Sequence, residues 1–131
     1  MTVAEAAIAA YLQTGEFGTV GSTIFVDTKP ATPDAVISVF GYAGSPGEHT
    51  HDTSGNARPG IQVWVRGTKD ATGTARNTIE SVYNYLDGLT NTSLSGVYFE
   101  GIFANQSPEP MGKDENGRPE FAVNFSTIIR R

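Results

Sequence analysis

Ile61-Gln62-Val63-Trp64-Val65-Arg66, a short link, then Ala75-Arg-Asn-Thr-Ile-Glu-Ser-Val-Tyr-Asn-Tyr-Leu86: this stretch changes period part-way, and the change decides the fold. In the first run Ile61, Val63 and Val65 alternate with Gln62, Trp64 and Arg66, the two-residue period of a strand. In the second, Ala75, Ile79, Val82, Tyr83 and Leu86 recur at spacings of three and four, and Gly88 supplies a helix stop. The back of that helix carries Arg76, Asn77, Glu80, Ser81 and Asn84. A helix with one apolar stripe and one polar face covers a sheet.

Toward the N-terminus, Ala35–Tyr42 is rich in β-branched and aromatic residues and reads as a strand, as does the shorter Thr23–Val26. Pro30 and Pro33 make residues 27–34 a loop, because each removes a backbone donor. Val3–Thr14 is predicted as a first helix, with Thr2 and Glu5 in capping-box spacing and Gly15 at its end. Toward the C-terminus, Val97–Ala104 and Phe121–Ile129 are two more strands. The 105–118 segment between them is predicted to carry a hairpin whose second strand is the C-terminal one. Its tip is Asn116-Gly117, since both residues tolerate positive φ. Residues 43–60 hold four glycines and two prolines and are predicted as a flexible loop.

The element order predicts an α+β fold in one domain, 1–131: an antiparallel or mixed sheet of about five strands with two helices on one face. A doubly wound nucleotide fold would need strict strand–helix alternation. Gly67-Thr-Lys-Asp-Ala-Thr-Gly73 joins a strand to a helix but matches no phosphate-binding pattern, and Asp70 or Thr72 serves there as an ordinary N-cap.

A chain of 131 residues buries one core without staples, and the absence of cysteine excludes disulfides, thiolate metal sites and thiol nucleophiles. The net charge of −5 argues against a general duplex-DNA binder, which would present a basic patch. Six acids against two bases in residues 1–65 concentrate the negative charge in the N-terminal half. Met1–Leu12 has no basic leader and Glu5 interrupts its apolar run, so a signal peptide is not expected. No apolar stretch has membrane-spanning length, and the expected location is the cytoplasm or a particle assembled there.

Three constellations could carry chemistry. His49, His51 and Asp52 form H-x-H-D, a pattern that can begin a transition-metal site, but no further ligand is evident and two solvated loop histidines are the plainer reading. Asp114-Glu115-Asn116 lacks the spacing of a calcium loop and reads as a polar hairpin tip. Asp87, Glu100, Ser38, Ser81 and Ser126 fall in no catalytic motif. The expectation is a non-enzyme with no cofactor. Trp64 lies opposite Ile61, Val63 and Val65, so both faces of its strand are at least partly covered. Trp64 is read as core, with a subunit interface as the alternative.

Pro59-Gly-Ile-Gln-Val-Trp-Val-Arg-Gly-Thr68, the helix Ala75–Leu86 with its Asp-Gly-Leu89 ending, and the run from Tyr98 through Asp114-Glu-Asn-Gly-Arg118 to Glu120-Phe-Ala-Val-Asn-Phe125 together resemble the tail-terminator or minor capsid proteins of long-tailed bacteriophages. The resemblance spans 20–131. It implies a structural virion protein: a six-membered ring capping the completed tail tube, fixing tail length and joining the tail to the head connector, with genomic DNA passing through. A head-completion or neck adaptor of the same virion is the alternative, and a small metal- or ligand-binding domain using the His49/His51 loop is a third. Under the first reading the partners are further copies of the chain, the tail tube protein and the head connector, with no membrane. The residues expected at those interfaces are Glu48, Arg58, Trp64, Arg66, Lys113, Asp114, Glu115, Arg118 and Arg130.

Overall fold

A computed structural model describes residues 3–45 and 56–130. Its elements are α1 (Ala4–Thr14), β1 (Ile24–Val26), β2 (Val36–Ser45), β3 (Asn56–Arg66), α2 (Thr72–Leu86), β4 (Leu89–Leu94), β5 (Val97–Ala104), β6 (Glu109–Lys113) and β7 (Pro119–Arg130). The fold is α+β with a mixed sheet of seven strands, two more than the sequence predicted. The order is β1-β2-β3-β7-β5-β4; β1 and β2 run parallel and every other pair is antiparallel. β7 is the hub. One edge pairs with β3 along nearly its full length, while the other is shared, with β6 on Pro119–Ala122 and β5 on Phe125–Ile129.

The added strands are β4, whose Leu-Thr-Asn-Thr-Ser-Leu carries no apolar alternation, and β6, the first arm of the predicted hairpin. The predicted 43–60 loop is also shorter than expected, because β2 continues to Ser45 and β3 starts at Asn56. Pro59 is tolerated because the β3–β7 ladder has no rung at residues 58 and 59, although its register is the same at Ala57↔Ile129 and Gly60↔Ser126. The Thr127 hydroxyl donates to the Pro59 carbonyl at 2.7 Å within that gap.

Side chains alternate across the sheet. Ile37, Val65 and Phe121 form one cross-strand row, Val39, Val63 and Val123 the next, and Ile61 and Phe125 a third. These rows belong to one buried cluster that also contains Ala4, Ile8 and Leu12 of α1 and Ala75, Ile79, Val82 and Leu86 of α2. α1 forms from an alanine-rich sequence of high helix propensity, and α2 from its 4-3-4 apolar spacing. Tyr85 clasps the helices together. Its ring stacks on Tyr11 with centroids 4.4 Å apart, and its hydroxyl donates to the Tyr11 carbonyl at 3.2 Å.

Neither helix begins as the sequence predicted. Val3 occupies the N-cap of α1 without a side-chain cap, and Thr2 lies outside the described residues. The Glu5 carboxylate lies over Gly41 of β2, where no Cβ stands in its way. Ala71, not Asp70 or Thr72, is the N-cap of α2. Asp70 sits at φ 61°, donates its N–H to the Gly117 carbonyl at 3.1 Å and pairs its carboxylate with Lys113 at 3.3 Å.

Candidate functional site

Among the described residues, none from a helix belongs to the cluster on the other face of the sheet, which divides into two parts. Near β1 a second small cluster forms: Val36, Trp64 and Ala122 are buried, with Phe25 and Phe40 packed against them. Lys29 reaches back from the 27–35 loop, its Nζ 4.6 Å from the Trp64 ring centroid and 5.8 Å from that of Phe40. Trp64 is only 2% exposed and belongs to this chain's own interior, as the core reading had it.

Farther along, the same face is open. The register sets Tyr42, Gly60, Ser126 and Phe103 in one row across β2, β3, β7 and β5, beside the row Phe40, Gln62 and Asn124. The ring of Tyr42 lies over Gly60 and that of Phe103 over Gly101, each occupying the space of the missing Cβ. Both rings are more than two-fifths exposed. Asn105 links the row: its Nδ2 donates to the Tyr42 hydroxyl at 3.4 Å, and its Oδ1 accepts from Ser126 at 2.6 Å. A cavity of about 390 Å³ opens here among Tyr42, Arg58, Phe103, Asn105, Ser126 and Ile128. Arg130 borders the face, its guanidinium 4.2 Å from the Tyr98 ring centroid and 3.8 Å from Glu100.

The hairpin end is organised by two arginines. Arg66 is 4% exposed; its Nε donates to the Asp34 carbonyl at 2.8 Å and its Nη2 to the Pro33 carbonyl at 2.7 Å. Arg118 is 8% exposed; its Nε donates to Asp114 Oδ2 at 2.7 Å and its Nη1 to the Ala31 carbonyl at 2.8 Å and to Asp34 Oδ1 at 3.2 Å. The pair therefore ties the 27–35 loop to the β6–β7 turn. Burial, with the Arg118 charge beside it, pushes the Arg66 pKa down. Desolvation acts to raise the Asp114 pKa, but hydrogen bonds from Arg118 and from the Asn116 backbone, with the Arg118 charge, outweigh it and hold the carboxyl below its usual value.

Of the predicted interface residues, Trp64, Arg66 and Arg118 are withdrawn from the surface, and a partner would reach them only by displacing contacts within this chain. Aromatic and guanidinium groups are as useful for closing a small domain as for joining two, which is why residue type alone pointed outward. Asp114 is held by Arg118, and Lys113 pairs with Asp70. Glu115 and Arg130 are exposed, and Arg58 is half-buried at the open cavity. Glu48, His49, His51 and Asp52 lie outside the described residues. Among the described residues no cluster of three metal-ligating side chains exists. Ser38, Ser126, Asp87 and Glu100 are not assembled: Ser38 Oγ is buried in the sheet, and Asp87 accepts the Ala104 N–H at 2.8 Å. The exposed Tyr42 and Phe103 carried no sequence signal, since their strands read equally well with either face outward.

Residues 11–131 match the profile of a family described as bacteriophage tail terminator protein. The chain belongs to the bacteriophage tail terminator family. It is a structural component of the virion tail. Its fold is similar to that of a chain in a structure titled "Virion of native gene transfer agent (GTA) particle", with a TM-score of 0.60 and 17% identity over 98% of this chain and 87% of that one. No curated protein matches the sequence. For a tail structural protein, a face of aromatic and amide groups, with Arg58 the one charged residue among the described residues at its cavity, is suited to contact with other protein surfaces.

Proposed function

We propose that six copies of this chain close into a ring that caps the finished tail tube, fixes tail length and joins the tail to the head connector, with DNA passing through the centre. Family membership over residues 11–131 is the observation that carries this reading. The geometry supports the kind of contact it requires. The outer strands are poor templates for strand addition: β1 has three residues, β6 contains Pro110 and a bulge, and β4 is broken by Asn91 at φ 50°. Neighbours then meet through side chains. The open face around Tyr42, Phe103, Arg58 and Arg130, and the exposed Lys113 and Glu115 of the hairpin, are the surfaces offered.

Light scattering and electron microscopy of the purified protein, alone and with tail tubes, test the reading. Rings are expected on the tube ends. The double substitution Tyr42→Ser and Phe103→Ser should abolish them while leaving the chain folded, at a cost of about 2–3 kcal/mol for the half-buried ring area lost over Gly60 and Gly101. Tube ends bare of the wild-type protein, with tails of normal length in its absence, would overturn the proposal.

A further inference from the structure

Asn116-Gly117 is the only Asn-Gly step in the chain, and it stands at the exposed tip of the β6–β7 hairpin. Gly117 takes φ +76°, and its nitrogen has no Cβ beside it to obstruct approach to the Asn116 side chain. The surroundings hold that nitrogen away from reaction. Its N–H donates to the Asp114 carbonyl at 3.0 Å. Asp114 Oδ1 accepts the N–H groups of Asn116 at 3.0 Å and of Arg118 at 2.9 Å, and Asp114 Oδ2 accepts Arg118 Nε at 2.7 Å.

We propose that Asn116 is the chain's site of spontaneous deamidation, and that the Asp114–Arg118 clasp sets its rate. Opening of the turn frees the Gly117 N–H. Once that nitrogen has lost its proton to solvent base, it bonds to Asn116 Cγ. The bond from Cγ to the side-chain nitrogen breaks and ammonia leaves, giving a five-membered imide. Water then opens the imide at either carbonyl, to aspartate or to isoaspartate. Both products place a third negative charge after Asp114 and Glu115, and isoaspartate also lengthens the main chain of the turn by one carbon. The reaction needs only water and base, and it proceeds from the open turn, so its rate follows the population of that state.

The test is storage of the purified protein at mildly alkaline pH, followed by intact mass and peptide mapping of the whole chain. A gain of one mass unit confined to Asn116 is expected, faster in urea than in the native state. Arg118→Lys keeps the charge and loses the fork, and should speed the native reaction about tenfold or more, the weight of one charge-assisted hydrogen bond. Asn116→Ala, a change at an exposed side chain, should stay folded and lose the mass gain. Mass gain at another asparagine first, an unchanged mass at Asn116, or an Arg118→Lys rate equal to wild type would each overturn the proposal.

Discussion

Gly15 and Asp114 show how much of this fold rests on single contacts. A Cβ at Gly15 would sit 2.6 Å from Cζ of Tyr85, whose ring is held between Tyr11 and Phe17 and cannot swing away. Gly15→Ala is therefore expected to cost about 1–3 kcal/mol, as overpacking does, measured by urea denaturation. A Cβ at Gly60 meets Tyr42 instead, an exposed ring with room to turn, and the same substitution there should cost less. Asp114 makes a prediction in pH. Its folded pKa lies below the unfolded value, so its contribution is present above about pH 4 and is lost as pH falls through the lowered value. The stability gap between wild type and Asp114→Asn should be full at neutral pH and shrink in acid. A gap that stays constant from pH 7 to 3 would show that Asp114 acts through neutral hydrogen bonds alone.

Elements add a constraint that single residues do not show. β7 serves three partners, and its long alternating sequence, buried at Phe121, Val123 and Phe125, was legible as a central strand. β4 was not legible, because its six residues are mostly polar and its pairing with β5 supplies the order that apolar burial does not. The glycines and prolines of 43–60 point to loop, yet strands enter the segment from both ends. The Tyr42 ring covers the surface that Gly60 leaves bare, and the Thr127 hydroxyl satisfies the carbonyl of Pro59 where the ladder has no rung. The strand boundaries define the change to make: replacing 46–55 with a Gly-Ser link of similar length should leave the melting temperature within a few degrees of wild type, since closure cost varies slowly with length. A larger loss would show that the segment contributes contacts to the fold.

At the scale of the whole molecule, the two parts of the helix-free sheet face should behave differently on assembly. Trp64 is already covered by Lys29 and the 27–35 loop, so the hydrogen exchange of its strand centre should be the same in the free chain and in the particle. Amides around Tyr42 and Phe103 should gain protection only in the particle. Protection appearing instead around Trp64 would move the interface to the β1 edge.

The sequence by itself determined the α+β class, both helices, the five apolar strands, the hairpin turn at Gly117 and the resemblance to tail terminators, because each is written in local periodicity, turn chemistry or order along the chain. Only the tertiary structure decided that Trp64, Arg66 and Arg118 face inward, that β4 and β6 are strands, and that Tyr42 and Phe103 face outward. An alternating strand has two faces, and its pattern does not say which is covered. That choice belongs to residues far away in sequence: the 27–35 loop closes over one end of the face, and among the described residues no helix reaches the other.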